Sequence, residues 1–205
     1  MNDRNNTLLR KNSRPMAGSA KFDTPRLIVV SAPSGGGKTT ICHKLSQRNP
    51  NFRFSVSATT RPRRPGEKDG VDYFFLSREE FERKIRDDEF LEYEEVFGNL
   101  YGTLKSYVQQ LLREGHSVLL DIDVKGALQI KSKFPDAVLI FILPPSTEEL
   151  RKRLLGRKTD DPQEIEKRLK RLPLEYAEGK KFDYQVVNDR LDEAVERIEK
   201  ILANH

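Results

Sequence analysis

The chain has 205 residues, of which 34% are charged, with a formal net charge of +5 and a single cysteine. This length suits one domain with its own core, the single cysteine excludes an internal disulfide, and no apolar run is long enough to span a bilayer. We therefore expect a soluble, cytoplasmic protein with no membrane partner.

The positive charge is concentrated at the N-terminus. The first 26 residues carry six basic and two acidic side chains, so the rest of the chain is close to neutral. This distribution argues against a broad cationic surface, and hence against nucleic acid as a partner. Because residues 1–22 have little to bury, we expect a disordered basic tail, with a partner-binding arm as the alternative.

Residues 26–48 have the pattern of a strand, a glycine-rich loop and a helix. Glycines let backbone N–H groups curl around a phosphate at the helix N-terminus, Lys38 adds a charge for the outer phosphates, and the Thr39 hydroxyl suits Mg²⁺. The pattern is a P-loop in which Ala32 replaces the first glycine of the usual spacing. A glycine-rich loop that only caps a helix is the alternative. The predicted triphosphate-binding residues are Ala32, Pro33, Ser34, Gly35, Gly36, Gly37, Lys38, Thr39 and Thr40.

Residues 53–104 differ in character from the segment before them. Their first part is rich in Arg, Pro and Gly, and Ser77 and Glu80 then form a capping box ahead of a helix. We interpret residues 53–104 as an antiparallel β-rich insertion in a core made of residues 23–52 and 105–205. The predicted strands here are 52–58, 73–76, 90–96 and 99–101.

Helices and strands alternate again after residue 105. The strand predicted over 117–122 ends near Asp121, which is the Walker B arrangement, although Asp121 could instead only cap a helix. Further buried strands are predicted over 137–143 and 184–187, and Pro173 should kink or end the helix that starts at Pro162. This order predicts a doubly wound α/β fold of the P-loop NTPase type, with a short helical lid over about 153–172 and the ligand at the carboxyl ends of the strands.

A second phosphate site is suggested by the basic loop of the insertion. Arg61 and Arg64 lie in this loop, and Tyr73 follows shortly after it. Two guanidinium groups and a phenol would suit a phosphate, because guanidinium forks bind phosphate oxygens bidentately. A solvated basic turn is the alternative.

The residues in and around that loop form a pattern of nine positions, which are Thr59, Thr60, Arg61, Arg64, Glu67, Gly70, Tyr73, Phe75 and Leu76. This pattern resembles the signature of the guanylate kinases, and the resemblance extends from about residue 26 to the end of the chain. Further matching positions are Glu92, Gly98, Asn99, Tyr101, Gly102, Thr103, Asp121, Ile122, Asp123, Gly126, Pro144, Pro145, Ser146, Gly156, Arg157, Lys167, Arg168, Val187, Asn188 and Asp189.

The resemblance implies an acceptor site for GMP, and for dGMP as well. The implied contacts of the acceptor phosphate are Arg61, Arg64, Tyr73 and Tyr101. Ser57, Glu92 and Thr103 would read the guanine, and Asp123 would lie near the nucleoside. A carboxylate such as Glu92 can accept hydrogen bonds from guanine N1–H and the exocyclic amine together, a donor pair that adenine lacks. A surface carboxylate within the acidic run 89–95 is the alternative.

The resemblance also implies the reaction ATP + GMP → ADP + GDP, with Mg²⁺ as cofactor. Lys38, Arg157 and Arg168 are the implied catalytic residues, and Arg153 is a weaker candidate. The implied magnesium site consists of Thr39 and Asp121, the latter directly or through water. Asn188 would contact the adenine side of ATP. Assembly of the chain into a homo-oligomer, a dimer or higher, is left open.

Three other functions share some of these sequence features. A non-catalytic guanylate-kinase-like binding module would have a degraded P-loop, whereas Lys38 and Thr39 are intact here. A GTP-dependent switch is suggested by the DxxG sequence over 123–126, but no NKxD motif accompanies it. Another nucleoside monophosphate kinase is disfavoured by Glu92 and by the signature over 59–76.

Overall fold

The computed structural model describes residues 24–156 and 162–205. The predicted tail, residues 1–22, and the predicted catalytic Arg157 lie outside these described residues. The elements are β1 Leu27–Ser31, α1 Lys38–Arg48, β2 Phe52–Phe54, β3 Ala58–Thr59, β4 Phe74–Phe75, α2 Arg78–Arg86, β5 Phe90–Val96, β6 Asn99–Leu104, α3 Lys105–Arg113, β7 Ser117–Asp121, α4 Val124–Lys133, β8 Val138–Leu143, α5 Thr147–Leu155, α6 Pro162–Gly179, β9 Tyr184–Val187 and α7 Leu191–Ala203.

A five-stranded parallel sheet in the order β2-β7-β1-β8-β9 forms the core. Its central strand β1 is buried at all five positions. Alternate side chains of β1 enter two hydrophobic clusters, with Ile28 and Val30 packing against α1 and α7, and Leu27 and Val29 against α3 and α4. Helices therefore cover both faces of the sheet, which confirms the predicted doubly wound α/β fold.

A second sheet, in the order β4-β3-β6-β5, contains the inserted strands. β5 and β6 form an antiparallel hairpin whose turn, Phe97 and Gly98, has φ values of 50° and 77°. The backbone twist of such a two-residue turn matches the right-handed twist of the strands that flank it. β3 pairs with β6 antiparallel but with β4 parallel, so one pair of this otherwise antiparallel sheet runs in the same direction.

The single strand predicted over 52–58 is two strands that belong to different sheets. β2 pairs with β7 of the core, whereas β3 pairs with β4 and β6 of the insertion. The Ser55 backbone N–H still donates to the Leu119 carbonyl at 2.9 Å, and the chain then leaves the core sheet. Alternation of apolar residues does not reveal this change of partner, because it indicates which side chains are buried but not which strand lies beside which.

Helices α5 and α6 pack against each other through the buried residues Leu150, Leu154, Ile165 and Leu172. Ser146 caps α5 by accepting from the Glu149 N–H at 3.1 Å. α6 contains Pro173 and continues to Gly179, so the helix does not end at this proline, and the alternative expectation of a kink there stays a prediction. Pro173 is exposed and removes only one backbone donor, while Leu172 and Glu175 on either side are buried.

Over residues 24–156 and 162–205, every helix is too short or too polar to cross a membrane.

Candidate active site

One cleft of about 550 Å³ lies between the carboxyl ends of the core strands and the inserted sheet. The P-loop forms one end of the cleft, and residues of β5, β6 and the basic loop of the insertion form the other. Eighteen of the predicted site residues line it, including the predicted metal ligand Asp121 and the predicted catalytic residue Arg168. The other sixteen are Ala32, Pro33, Ser34, Gly35, Gly36, Gly37, Lys38, Thr39, Thr40, Ser57, Arg61, Arg64, Tyr73, Glu92, Tyr101 and Asp123.

The shape of the P-loop depends on its glycines and on a hydrogen bond from a buried side chain. Gly35 and Gly37 have φ values of 88° and 93°, in the left-handed region where L side chains are strained. A Cβ on Gly36 would lie 2.7 Å from the Ala32 Cβ, so a side chain there would clash with the loop itself. The Asn188 side-chain amide donates to the Gly36 carbonyl at 3.1 Å.

This contact places Asn188 beneath the P-loop. Asn188 is buried and is not among the residues that line the cleft, so its amide supports the loop from the side away from the nucleotide space. Arg153, the weaker arginine candidate, also lies there, because it donates to the Asn188 carbonyl at 3.2 Å and pairs with Glu149. The expected adenine contact of Asn188 stays a prediction.

Lys38, Thr39 and Asp121 form a polar cluster at the start of α1. The Lys38 Nζ lies 3.0 Å from Asp121 Oδ1, and the Thr39 hydroxyl donates to Asp121 Oδ2. The register of the core sheet places Asp121 beside Val30, directly before the P-loop. Burial would lower the pKa of the Lys38 ammonium, but the adjacent Asp121 carboxylate outweighs it and the pKa is raised, so Lys38 stays charged.

The Thr39 hydroxyl and the Asp121 carboxylate fit the requirements of Mg²⁺. This ion takes oxygen ligands and keeps several waters, so one carboxylate and a hydroxyl beside the nucleotide phosphates are a suitable protein contribution. Within the described part of the chain, no group of three or more His, Cys, Asp or Glu side chains could hold a metal by itself. A magnesium ion here would therefore take its other ligands from nucleotide phosphates and water.

At the opposite end, the predicted phosphate-binding side chains lie together. The Arg61 guanidinium packs 5.3 Å from the Tyr73 ring centroid, and the Tyr73 and Tyr101 rings are 6.1 Å apart. Glu67 joins the two arginines, because it accepts from Arg61 Nη2 at 2.6 Å and from the Arg64 backbone N–H at 2.7 Å. Glu67 was part of the sequence resemblance but was not predicted as a site residue, and its position shows that it orients Arg61.

The wall of the cleft next to the insertion is acidic. Glu92 is only 4% exposed, and the Thr103 hydroxyl donates to its Oε1 at 2.6 Å. Burial raises the pKa of Glu92 to about 7, an effect that the Thr103 hydrogen bond opposes and the nearby Glu94 reinforces. Thr103 itself is buried behind Glu92 and does not line the cleft. In the structure it holds the carboxylate, and its expected contact with guanine stays a prediction.

Helix α6 connects both ends of the cleft through two arginines. Arg168 donates to the Ser34 hydroxyl at 2.8 Å and packs over the Phe97 ring at 5.4 Å. Arg171 Nη2 lies 2.9 Å from both Glu94 Oε1 and Asp123 Oδ2. Sequence reasoning missed Arg171, Glu94 and Phe97, although the spacing of three residues between the two arginines predicts that both lie on one helix face.

The comparisons with known proteins agree with each other. The sequence model described as guanylate kinase matches residues 24–205. A guanylate kinase of Symbiobacterium thermophilum is 50% identical over 176 residues, which is 86% of this chain and 83% of the relative. One of Streptococcus agalactiae serotype III is 52% identical over 177 residues, 86% of this chain and 85% of the relative. The crystal structure of guanylate kinase from Anaplasma phagocytophilum superposes with a TM-score of 0.74 at 38% identity, covering 88% of this chain and 86% of that one. On the strength of a match that spans nearly all of the described fold, the chain belongs to the guanylate kinase family.

Proposed function

We propose that this chain transfers the γ-phosphoryl group of ATP to GMP, giving ADP and GDP, and that dGMP is also an acceptor. The observation that carries the proposal is that one cleft holds a P-loop at one end and, at the other, the pair Arg61 and Arg64 together with the buried carboxylate Glu92. Two phosphate-binding ends in one cleft suit a reaction that joins two nucleotides.

Glu92 supports guanine as the base of the acceptor. Its carboxylate lies in the cleft wall, held at one oxygen by Thr103, so the other oxygen can accept from the base. Guanine presents N1–H and the exocyclic amine on one edge, whereas adenine would offer no such pair of donors to the buried carboxylate. Ser57 lines the same cleft and is proposed as a further guanine contact.

The proposed phosphoryl transfer needs positive charge and alignment of the two nucleotides more than it needs a general base. The nucleophile is a phosphate oxygen of GMP, which is already ionised near neutral pH because its second pKa is about 6. A bond forms between this oxygen and the γ-phosphorus as the bond to the β-phosphate oxygen breaks, and charge spreads over the transferring group. Lys38 is placed at the P-loop end to neutralise that charge, and Arg168 reaches the same loop from α6. Arg157 is proposed for the same role on the family resemblance alone.

Mg²⁺ is proposed as the cofactor, with Thr39 and Asp121 as the residues that would hold it. When bound, the ion neutralises charge on the outer phosphate oxygens of ATP. Asp121 is already fixed by Lys38 and Thr39, so its carboxylate is oriented before any ligand arrives.

A coupled assay of ADP formation tests the proposal by comparing GMP, dGMP, AMP and UMP as acceptors. We expect turnover with GMP and dGMP, and a kcat/KM for AMP lower by a factor of about 10³ or more, because Glu92 would be buried without that pair of donors. Comparable use of AMP would refute the role of Glu92 as guanine reader. Absence of turnover with GMP in the presence of Mg²⁺ would refute the proposed reaction.

A further inference from the structure

Arg171 is a mostly buried arginine in contact with three carboxylates. Its side chain is 14% exposed, its Nη2 lies 2.9 Å from Glu94 Oε1 and from Asp123 Oδ2, and its Nε lies 3.7 Å from Glu175 Oε1. The Nη2 group donates a hydrogen bond to Glu94 Oε1 and forms an ion pair with Asp123 Oδ2. The guanidinium therefore holds Glu94 and Asp123 at one fixed separation.

The three carboxylates come from different parts of the fold. Glu94 belongs to β5 of the insertion, Asp123 precedes α4 of the core, and Glu175 lies one turn after Arg171 on α6. The Arg171 guanidinium also packs over the ring of Phe97, at the turn of the β5–β6 hairpin, 5.7 Å from its centroid. One side chain thus joins the insertion, the core and the helix that also carries a cleft arginine.

The position of Asp123 depends on this contact. Its Oδ1 accepts from the Val124 N–H at 2.6 Å and caps α4, while its Oδ2 is held by Arg171. Each carboxylate oxygen can accept more than one hydrogen bond, so Asp123 keeps the capacity to accept from a ligand hydroxyl while it is fixed at both oxygens. Asp123 and Glu94 line the cleft, whereas Arg171 stands behind them.

Arg171 also balances the charge of the cleft wall. Glu92, Glu94, Asp123 and Glu175 all line the cleft, and burial raises the pKa of Glu94 and takes that of Glu175 to about 7. Arg171 opposes the rise in both of these groups, and the next cation, Lys125, reaches Glu94 only at 4.0 Å from an exposed position. Without Arg171, the neighbouring carboxylates would repel each other in a partly dry site. We expect that they would then move apart.

We propose that Arg171 is a positioning residue of the acceptor site, which holds Asp123 and Glu94 in the cleft wall and thereby sets the affinity for the acceptor nucleotide. The inference rests on the proposed function, because it takes this end of the cleft as the place where GMP binds. Arg171 acts through the two carboxylates and does not need to touch either nucleotide.

Steady-state kinetics of the full chain test this proposal, with KM for GMP, KM for ATP and kcat measured separately. For Arg171→Ala we expect KM for GMP to rise about tenfold, while KM for ATP and kcat stay within about twofold of wild type. Arg171→Lys, which keeps the charge but loses the fork, should give an intermediate KM for GMP. Lys170→Ala is the matched control, because it removes a charge from the neighbouring position of α6 where the side chain is 75% exposed.

The double variant Arg171→Ala, Glu94→Gln distinguishes charge balance from general disruption of α6. If Arg171 acts by compensating the carboxylates, its removal should raise KM for GMP less in the Glu94→Gln background than in wild type. If Arg171→Ala alone does not fold, the same comparison is made with Arg171→Lys in both backgrounds.

Two results would overturn the inference. One is a KM for GMP that changes no more in Arg171→Ala than in Lys170→Ala, and the other is a loss confined to kcat or to KM for ATP, which would place the effect at the P-loop. A wild-type protein without GMP phosphorylation would instead refute the proposed function. The wild-type measurement, made first, therefore separates the two failures.

Discussion

At the scale of single residues, the Glu92 carboxylate that is proposed to bind guanine is buried at a cost to the stability of the fold. Its carboxylate is buried in the cleft wall with one hydrogen bond from Thr103, and burial raises its pKa to about 7. A carboxyl whose pKa is raised on folding favours the folded state while it is protonated. That contribution is fully present below the ordinary value of 4.5 and is lost as the pH rises through 7.

Replacing Glu92 by Gln should therefore stabilise the nucleotide-free protein while weakening acceptor binding. Gln stays neutral at every pH, so the free energy of unfolding should exceed that of wild type by about 1–3 kcal/mol at pH 8 and by little at pH 5. Urea unfolding at the two pH values measures this difference. An equal difference at both pH values would contradict the penalty for burying the charge.

The same variant should raise KM for GMP by about tenfold or more, because a neutral amide oxygen is a weaker partner for two guanine donors. Glu95→Gln is the matched control, since Glu95 lies on the same strand β5 with its side chain 54% exposed.

At the scale of secondary structure elements, α4 approaches the acceptor site through a glycine. Gly126 is buried on α4, and a Cβ at this position would lie 2.4 Å from Glu92 Oε2. The absence of a Cβ lets the helix pack against the carboxylate. The atom that a Cβ would displace, Glu92 Oε2, is the far end of a flexible side chain. A substitution should consequently displace the carboxylate and leave the helix in place.

Gly126→Ala should weaken the binding of GMP without lowering the stability of the fold. Alanine favours a helix over glycine by about 1 kcal/mol, so the melting temperature should not fall, whereas KM for GMP should rise about tenfold as Glu92 is pushed away. KM for ATP should be unaffected because the P-loop belongs to another part of the cleft. Gln129→Ala, an exposed position on the same helix, is the control. An unchanged KM for GMP would show that Glu92 can move without losing its contact.

At the scale of the whole molecule, α6 links the two halves of the cleft. Arg168 contacts Ser34 of the P-loop, and Arg171 contacts Glu94 of the inserted sheet. Transfer between two nucleotides requires that water be excluded, because otherwise ATP would be hydrolysed. The insertion and the lid over about 153–172 are therefore expected to close on the core when both nucleotides are bound.

Small-angle X-ray scattering with a bisubstrate analogue that joins ATP and GMP tests this closure. The radius of gyration should decrease on the order of 1 Å relative to the free protein, and an ATP analogue alone should give a smaller decrease. Identical dimensions in the free and the doubly occupied protein would contradict it.

The amino-acid sequence by itself determined the parts that depend on local pattern. The P-loop, the buried strands of the core and the cap at Ser77 follow from residues close together in the chain, where spacing alone implies geometry. The extent of β9, Tyr184–Val187, was also predicted correctly. The family resemblance added the acceptor side, which periodicity would not have supplied.

Only the tertiary structure decided which side chains meet across the cleft. Asn188 and Gly36 are 152 residues apart, and Arg171 and Glu94 are 77 apart, so their contacts arise from the packing of α6 and the sheets. The register of the β5–β6 hairpin put Thr103 beside Glu92, and the division of the strands between two sheets split the run 52–58. Hydrophobic pattern specifies which face of each element is buried but not which polar groups face each other once the elements have packed.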